Sequence, residues 1–205
     1  MTTFIDLFAD ILNGNRQSSH QAARAVRKQL FSPSFSYKRR YEDIQLIIDI
    51  AAAEYYKIKE DWRKENFVLA VSIIYFLHNK NKSPDFLFVW AFDLLQHSNG
   101  NIRQAARRMI NNELGPLTAH IRCPDLEFER SFTTEEADVI LFSLYVNLND
   151  LSVILNKPSY KKYKYIDDLP TSPYKTVEMI LVDMEDCCGK PYMKHLYDQA
   201  LDLIN

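Results

Sequence analysis

The chain has 205 residues, of which 47% are hydrophobic and 25% charged, with a formal net charge of −2. This length suits one domain or two small ones with a real core, and the composition excludes an intrinsically disordered chain. A charge so close to balance argues against a protein that coats nucleic acid, although it leaves a local basic patch open.

The sparse glycine and cysteine content points to a helical protein from a reducing compartment. Only 4 glycines are present, and the turns of all-β chains usually need more. Three cysteines without framework spacing predict free thiols and a cytoplasmic location. The start of the chain lacks a basic segment, and the longest apolar run, 67–77, is too short to cross a bilayer. We therefore expect no membrane partner.

The first 115 residues are predicted to form three helix pairs, at 3–31, 37–79 and 84–115. Ser83 with Pro84 and Asp85 has the pattern of a helix start. Gly115-Pro116 has the pattern of a helix end, since glycine favours the left-handed turn and proline bars continuation. Apolar periodicity and capping residues place the six helices at about 4–12, 18–30, 41–56, 61–78, 83–97 and 99–114.

The remaining residues are predicted to form three further helices and an exposed loop. Thr133 and Glu136 have the spacing of a capping box before a helix that ends near Leu155. The proline-bounded stretch 157–173 is the predicted loop, followed by helices over about 173–185 and 191–203. No strand is predicted anywhere.

One motif occurs twice in the chain. Gln21-Ala22-Ala23-Arg24 recurs 83 positions later as Gln104-Ala105-Ala106-Arg107, and the same offset places Asp10-Ile11-Leu12 over Asp93-Leu94-Leu95. Paired alanines allow a neighbouring helix to approach closely, because small side chains reduce the distance between helix axes. Helix pairs that share such a face can stack side by side.

The second copy resembles a HEAT repeat. The resemblance rests on Asp93-Leu94-Leu95, Asn99, Ile102-Arg103, Ala105-Ala106 and Met109. It is good over 84–115 and partial over 3–31, where Ser19 and His20 replace Ile102 and Arg103. HEAT repeats run to about 40 residues, so the offset is near two units and the pair at 37–79 would be a degenerate unit.

The resemblance implies an all-α fold, an α-α superhelix of HEAT-like helix pairs over 1–122. Residues 123–205 would form an additional C-terminal helical region packed on it. The second helices of such a stack line its concave side, so the implied function is a non-catalytic scaffold that holds a protein or peptide there. The residues expected on this surface are Arg24, Arg27, Lys28, Arg103, Arg107 and Arg108.

Two alternatives remain open for the basic residues. Within the HEAT resemblance, Arg103 would tie adjacent units through Asp10, Asp93 or Asn99. The second alternative is a HEAT-like nucleic-acid-binding protein or DNA glycosylase-like enzyme, since guanidinium groups suit phosphates in a basic groove. The basic and aromatic segment 157–165 fits a stacking site for single strands or a soluble loop whose tyrosines pack on the body.

No catalytic residue, metal site or cofactor is predicted. Asp49, within an apolar helix, is either a buried acid with a raised pKa or an acid bonded at the helix edge. Cys187-Cys188 and His195 match no zinc pattern. Charge is divided along the chain: 11–41 holds seven basic residues and no acid, and 166–205 holds eight acids against three lysines. This division fits head-to-tail association or an internal contact between the two segments.

Overall fold

The computed structural model describes residues 2–31, 37–78, 83–125 and 132–203, with the backbone alone for 37–41. Within these ranges the chain is all-α, as predicted, and contains no strand. The ten α-helices are α1 (Phe4–Asn13), α2 (Arg16–Leu30), α3 (Tyr37–Lys57), α4 (Asp61–Ile74), α5 (Phe88–Leu95), α6 (Gly100–Leu117), α7 (Ala119–Arg122), α8 (Thr134–Leu155), α9 (Pro173–Cys188) and α10 (Lys190–Asp202).

Local capping chemistry sets the start of several helices. The predicted capping box before α8 is present: the Glu136 amide donates to the Thr133 hydroxyl at 3.2 Å, and the Thr133 amide donates to the Glu136 carboxylate at 2.7 Å. Ser172 caps α9 in the same manner, accepting from the Lys175 amide at 3.1 Å. Gly189 separates α9 from α10 at φ 79°, a conformation that favours glycine.

The predicted helix start at Ser83 is wrong. The Ser83 hydroxyl donates to the Asp85 carboxylate and does not cap a backbone amide. Successive turns follow, and α5 begins only at Phe88. These turns place the Phe86 ring against Tyr75, with ring centroids 6.1 Å apart. A tertiary aromatic contact thus overrides the local start pattern.

The predicted helix end at Gly115-Pro116 is also wrong, because α6 continues through Pro116 to Leu117. Leu117 is fully buried and anchors the last turn. The Thr118 amide and hydroxyl both donate to the Leu114 carbonyl, at 3.0 and 2.6 Å. Burial and this side-chain bond together outweigh the missing proline donor.

Each of the helices α2, α4, α6 and α9 contacts the next, and this series is called the helix layer. Helix α4 packs against α2 on one side and α6 on the other, and α6 packs in turn against α9. Helix α1 lies against α2 and α3, α5 against α6, and α8 against α9. Ala22, Ala23, Ala105 and Ala106 are all buried. Both alanine-bearing helices therefore share α4 as a neighbour, an arrangement compatible with a helical repeat.

The first motif departs from the second at Ser19 and His20, and both residues contact α4. The Ser19 hydroxyl donates to the Ile11 carbonyl at 3.0 Å and accepts from the Asn66 side chain at 3.1 Å. His20 Nδ1 lies 3.4 Å from Asn66 Oδ1. Arg63 of α4 donates to the carbonyls of Leu12 and Gly14, in the turn between α1 and α2. Polar side chains thus replace the apolar and basic pair of the second motif.

We expect Ala106→Leu to lower the free energy of unfolding by about 1–3 kcal/mol, because Ala106 is fully buried and added methyl groups must displace a neighbouring helix. Gln104→Leu is the matched control, since Gln104 is exposed on the same helix, and its effect should stay within about 0.5 kcal/mol. Urea denaturation followed by circular dichroism measures both. If both substitutions lower the free energy of unfolding equally, Ala106 does not lie at a close contact between helices.

Candidate functional site

Arg103 lies inside the fold. It is 2% exposed, and its Nη1 donates to the carbonyls of His97 and Ser98, both at 2.8 Å. Its Nε donates to the Thr176 hydroxyl at 3.2 Å, and burial lowers the pKa of the guanidinium. Arg103 therefore joins the turn between α5 and α6 to α9. Arg103 thus connects two helix pairs, as the structural alternative expected, but none of its expected acceptors, Asp10, Asp93 or Asn99, is the one used.

Arg107 forms a two-pronged ion pair with Asp183 of α9. Its Nε lies 2.6 Å from Asp183 Oδ2 and its Nη2 lies 2.7 Å from Oδ1. This bond raises the pKa of Arg107. Asn111 donates to the same carboxylate at 2.8 Å. Such planar pairs fix geometry as well as charge, so Arg107 has few donors left for a phosphate.

The remaining predicted residues lie at the surface. Arg108 is exposed and donates to the Ser72 hydroxyl of α4 at 3.0 Å. Arg24, Arg27 and Lys28 are exposed on α2 and have no hydrogen-bonded or ionic partner in the part of the chain that the structure describes. The structure thus brings these three together, whereas α4 separates them from the arginines of α6.

The segment 157–165 packs partly on the body and borders a pocket. The Tyr160 ring stacks on Tyr174 of α9, with centroids 5.2 Å apart, while Tyr165 is exposed. Lys164 lies over the Tyr165 ring at 5.1 Å. The pocket beside this segment has a volume of about 420 Å³ and is lined by Arg107, Lys164, Tyr165, Ile166, Asp167, Met179 and Val182. The pocket therefore brings Arg107, from the second motif, next to the basic and aromatic segment 157–165.

Helix α8 presents an apolar side that the sequence analysis did not single out. Its inner stripe of Leu141, Leu144, Leu148 and Leu151 is buried. Val139, Val153 and Ile154 are 69%, 77% and 72% exposed. By length and composition alone α8 could cross a membrane, and only 17% of its most apolar stretch is buried. This apolar side could have been recognised in the sequence from the valines at every seventh position, 139, 146 and 153, beside the leucines.

A groove of about 390 Å³ runs between α8 and α10. Its lining consists of Asp138, Val139, Phe142, Tyr192, His195, Gln199, Asp202 and Leu203. Asp138 Oδ1 accepts from the Tyr192 hydroxyl and lies 2.9 Å from His120 Nε2. Burial and the bond to Asp138 raise the pKa of Tyr192. The groove therefore combines apolar walls with two carboxylates, those of Asp138 and Asp202.

Asp49 is exposed and accepts from Gln45 at 2.6 Å, so it is not a buried acid. The carboxylate that is buried belongs to Glu113, and His78 Nε2 lies 3.4 Å from it. Burial raises the pKa of Tyr75, and so does its hydrogen bond to Glu113. These contacts connect the end of α4 to α6. No sequence pattern marked Glu113, since it follows the polar pair Asn111-Asn112.

Cys187 and Cys188 lie at the end of α9, and Cys188 is buried. Burial raises the pKa of Cys188 to about 12, which leaves its thiol protonated and unreactive at neutral pH. Across the described ranges, no group of three or more His, Cys, Asp or Glu side chains is placed to hold a metal ion.

No protein-family model, no curated protein and no solved structure matches the chain. The surfaces described above are therefore the basis for inferring function.

We expect Arg103→Lys to lower the free energy of unfolding by about 1–3 kcal/mol although it conserves charge, because one ammonium cannot replace the fork that reaches two carbonyls and Thr176. Arg108→Lys is the control, since Arg108 is exposed and makes one bond to a hydroxyl, and its effect should stay within about 0.5 kcal/mol. Thermal and urea unfolding measure both. A tolerated Arg103→Lys would argue against the structural role.

Proposed function

We propose that the protein is a non-catalytic scaffold that holds a protein or peptide partner on its exposed helix faces. The observation that carries this proposal is the apolar side of α8, where Val139, Val153 and Ile154 are exposed. Isolated apolar residues are common on protein surfaces, but a row of them along one helix is typical of an interaction site.

The proposed architecture is a short HEAT-like superhelix. Three observations support it: the layer of α2, α4, α6 and α9, the burial of both alanine pairs, and the contact of Arg103 with the next second helix. In this architecture α8 and α9 form the last helix pair. The terminal units of repeat proteins normally present a polar outer face to water. The apolar outer side of α8 therefore indicates that a partner covers it.

The charge of α8 favours a protein over a lipid surface. Four acids lie on this helix, Glu135, Glu136, Asp138 and Asp150, and no basic residue. Helices that lie on anionic membranes are rich in lysine and arginine, since the leaflet potential is negative. The cytoplasmic location belongs to the same proposal, and the free thiols of Cys123, Cys187 and Cys188 support it.

The basic residues contribute to the proposed binding surface unequally. Arg24, Arg27 and Lys28 are exposed on α2 and available to a partner, as is the solvent-facing part of Arg108. Arg103 and Arg107 instead hold α9 against α6. Their proposed contribution is the rigidity of the layer that presents the other residues.

A second candidate function is nucleic-acid binding through α2. The observation that favours it is the exposed row of Arg24, Arg27 and Lys28, since three basic side chains that have no partner among the described residues can contact successive phosphates. Its weakness is that the α6 arginines, which would extend this row into a groove, are bonded internally.

We expect peptides selected from a displayed random library on the wild-type protein to bind at least about tenfold more weakly to the Val153→Asp/Ile154→Asp variant, because the change removes two apolar contacts and buries charge in the interface. The Val89→Asp variant is the matched control, since Val89 is equally exposed on α5. A library that yields no binder, or binders that ignore the α8 change, would refute the proposal. Flotation of the protein with anionic vesicles would assign the surface to lipid.

We expect no binding of labelled duplex or single-stranded DNA at about 50 mM salt. Binding that weakens at least about tenfold at about 200 mM salt, and is abolished by Arg24→Glu/Arg27→Glu, would transfer the function to the second candidate. The α2 variant is the informative one, because substitution of Arg103 or Arg107 would break internal bonds.

A further inference from the structure

We infer that the α8 surface binds a second copy of this chain, which presents its helix α2, in a head-to-tail contact. The inference rests on the proposed function, because it names the partner of the same surface.

The charges of the two helices are complementary. Helix α2 carries four basic residues and no acid, and its members are Arg16, Arg24, Arg27 and Lys28. Helix α8 carries four acids and no basic residue. Opposite charges that face each other steer association and select the partner. Like charges within each helix oppose the symmetric contacts of α2 with α2 and of α8 with α8.

The two helices lie at opposite ends of the molecule's helix layer. The layer begins with α2 and runs through α4 and α6 to α9, against which α8 packs. Arg24, Arg27 and Lys28 are exposed to solvent at the α2 end of the layer. The apolar row of α8 is exposed to solvent at the α9 end. A contact between different ends of identical molecules is heterologous and repeats from copy to copy. It would continue the stack of helix pairs across molecules.

Each of the two surfaces also has an apolar feature that fits the other: an exposed ring beside α2 and an apolar groove beside α8. Phe31, directly after α2, is 72% exposed and stands three and four positions after Lys28 and Arg27. The groove between α8 and α10 offers apolar walls from Val139, Phe142 and Leu203. The Phe31 ring is assigned to this groove, with the neighbouring cations directed to Asp138 and Asp202.

The remaining apolar row of α8 is covered by the same contact. Arginine and lysine carry apolar stems that pack on hydrophobic surface while their charged ends stay hydrated. The stem of Arg24 can therefore lie along the valines while its charge reaches Asp150. Because the charged groups remain near water, the association should be weak and should fall with salt.

Analytical ultracentrifugation of the full chain tests the inference, at protein concentrations between about 5 and 500 µM and at about 50 and 500 mM salt. We expect the mean mass to rise with concentration beyond two copies at low salt and to fall at high salt. Phe31→Ala should weaken association at least about tenfold. A protein that stays monomeric at low salt, or stops at a symmetric dimer, overturns the inference.

Charge reversal identifies the surfaces. Arg27→Glu/Lys28→Glu should abolish association, and so should Asp150→Lys/Asp202→Lys, while an equimolar mixture of the two variants should associate again, because the unchanged α8 of the first variant can bind the unchanged α2 of the second. Asp138 is left intact because it holds His120 and Tyr192. Lys161→Glu/Lys162→Glu, in the exposed loop, changes the net charge by the same amount as the α2 variant and should leave association unchanged.

Failure of this inference is distinguishable from failure of the proposed function. A monomeric wild type that still selects α8-dependent peptides has a foreign partner, so the inference is wrong and the proposed function stands. Association that survives both charge reversals uses another surface and overturns the inference. A monomer that selects no peptide refutes both.

Discussion

The close fit of α4 between α2 and α6 is the constraint on which the rest of the structure depends. The two helices that flank α4 carry Ala22, Ala23, Ala105 and Ala106, which are all buried, and small side chains allow helix axes to approach closely. The polar contacts of this interface depend on the same closeness, since Ser19 and Asn66 bond at 3.1 Å only if the helix axes approach. With α4 in place, α6 is oriented to receive α9, and the positions of α8 and α10 follow.

The basic residues fall into two groups, those that stabilise the fold and those that are exposed to solvent. Arg63, Arg103 and Arg107 satisfy turn carbonyls or a carboxylate, so their charge stabilises the packing of successive helix pairs. Arg24, Arg27 and Lys28 remain outside. A tally of basic residues would suggest one continuous basic face, whereas the geometry leaves a short basic row on α2 and an acidic helix at α8. The proposed function rests on this uneven surface.

Sequence reasoning succeeded where the deciding chemistry is local. The capping box of Thr133 and Glu136 depends on residues three positions apart, and it is present. It failed where distant residues decide: Phe86 stacking on Tyr75 replaced the expected helix start, and buried Leu117 carried α6 through a proline. The groove between α8 and α10 could not be predicted from the sequence, because an exposed loop and helix α9 separate these two helices along the chain. Whether the helix pairs form a superhelix, and whether the basic residues of α2 bind a partner, stay predictions.

The bond between Arg107 and Asp183 spans 76 residues of chain. A ribosome that adds about 5–20 residues per second needs about 4 to 15 seconds to deliver the second residue after the first. Throughout that interval the side of α6 that α9 will cover is exposed, with two guanidiniums awaiting their acceptors. Until α9 is made, Arg103 and Arg107 of a growing chain lack Thr176 and Asp183, the acceptors that α9 supplies.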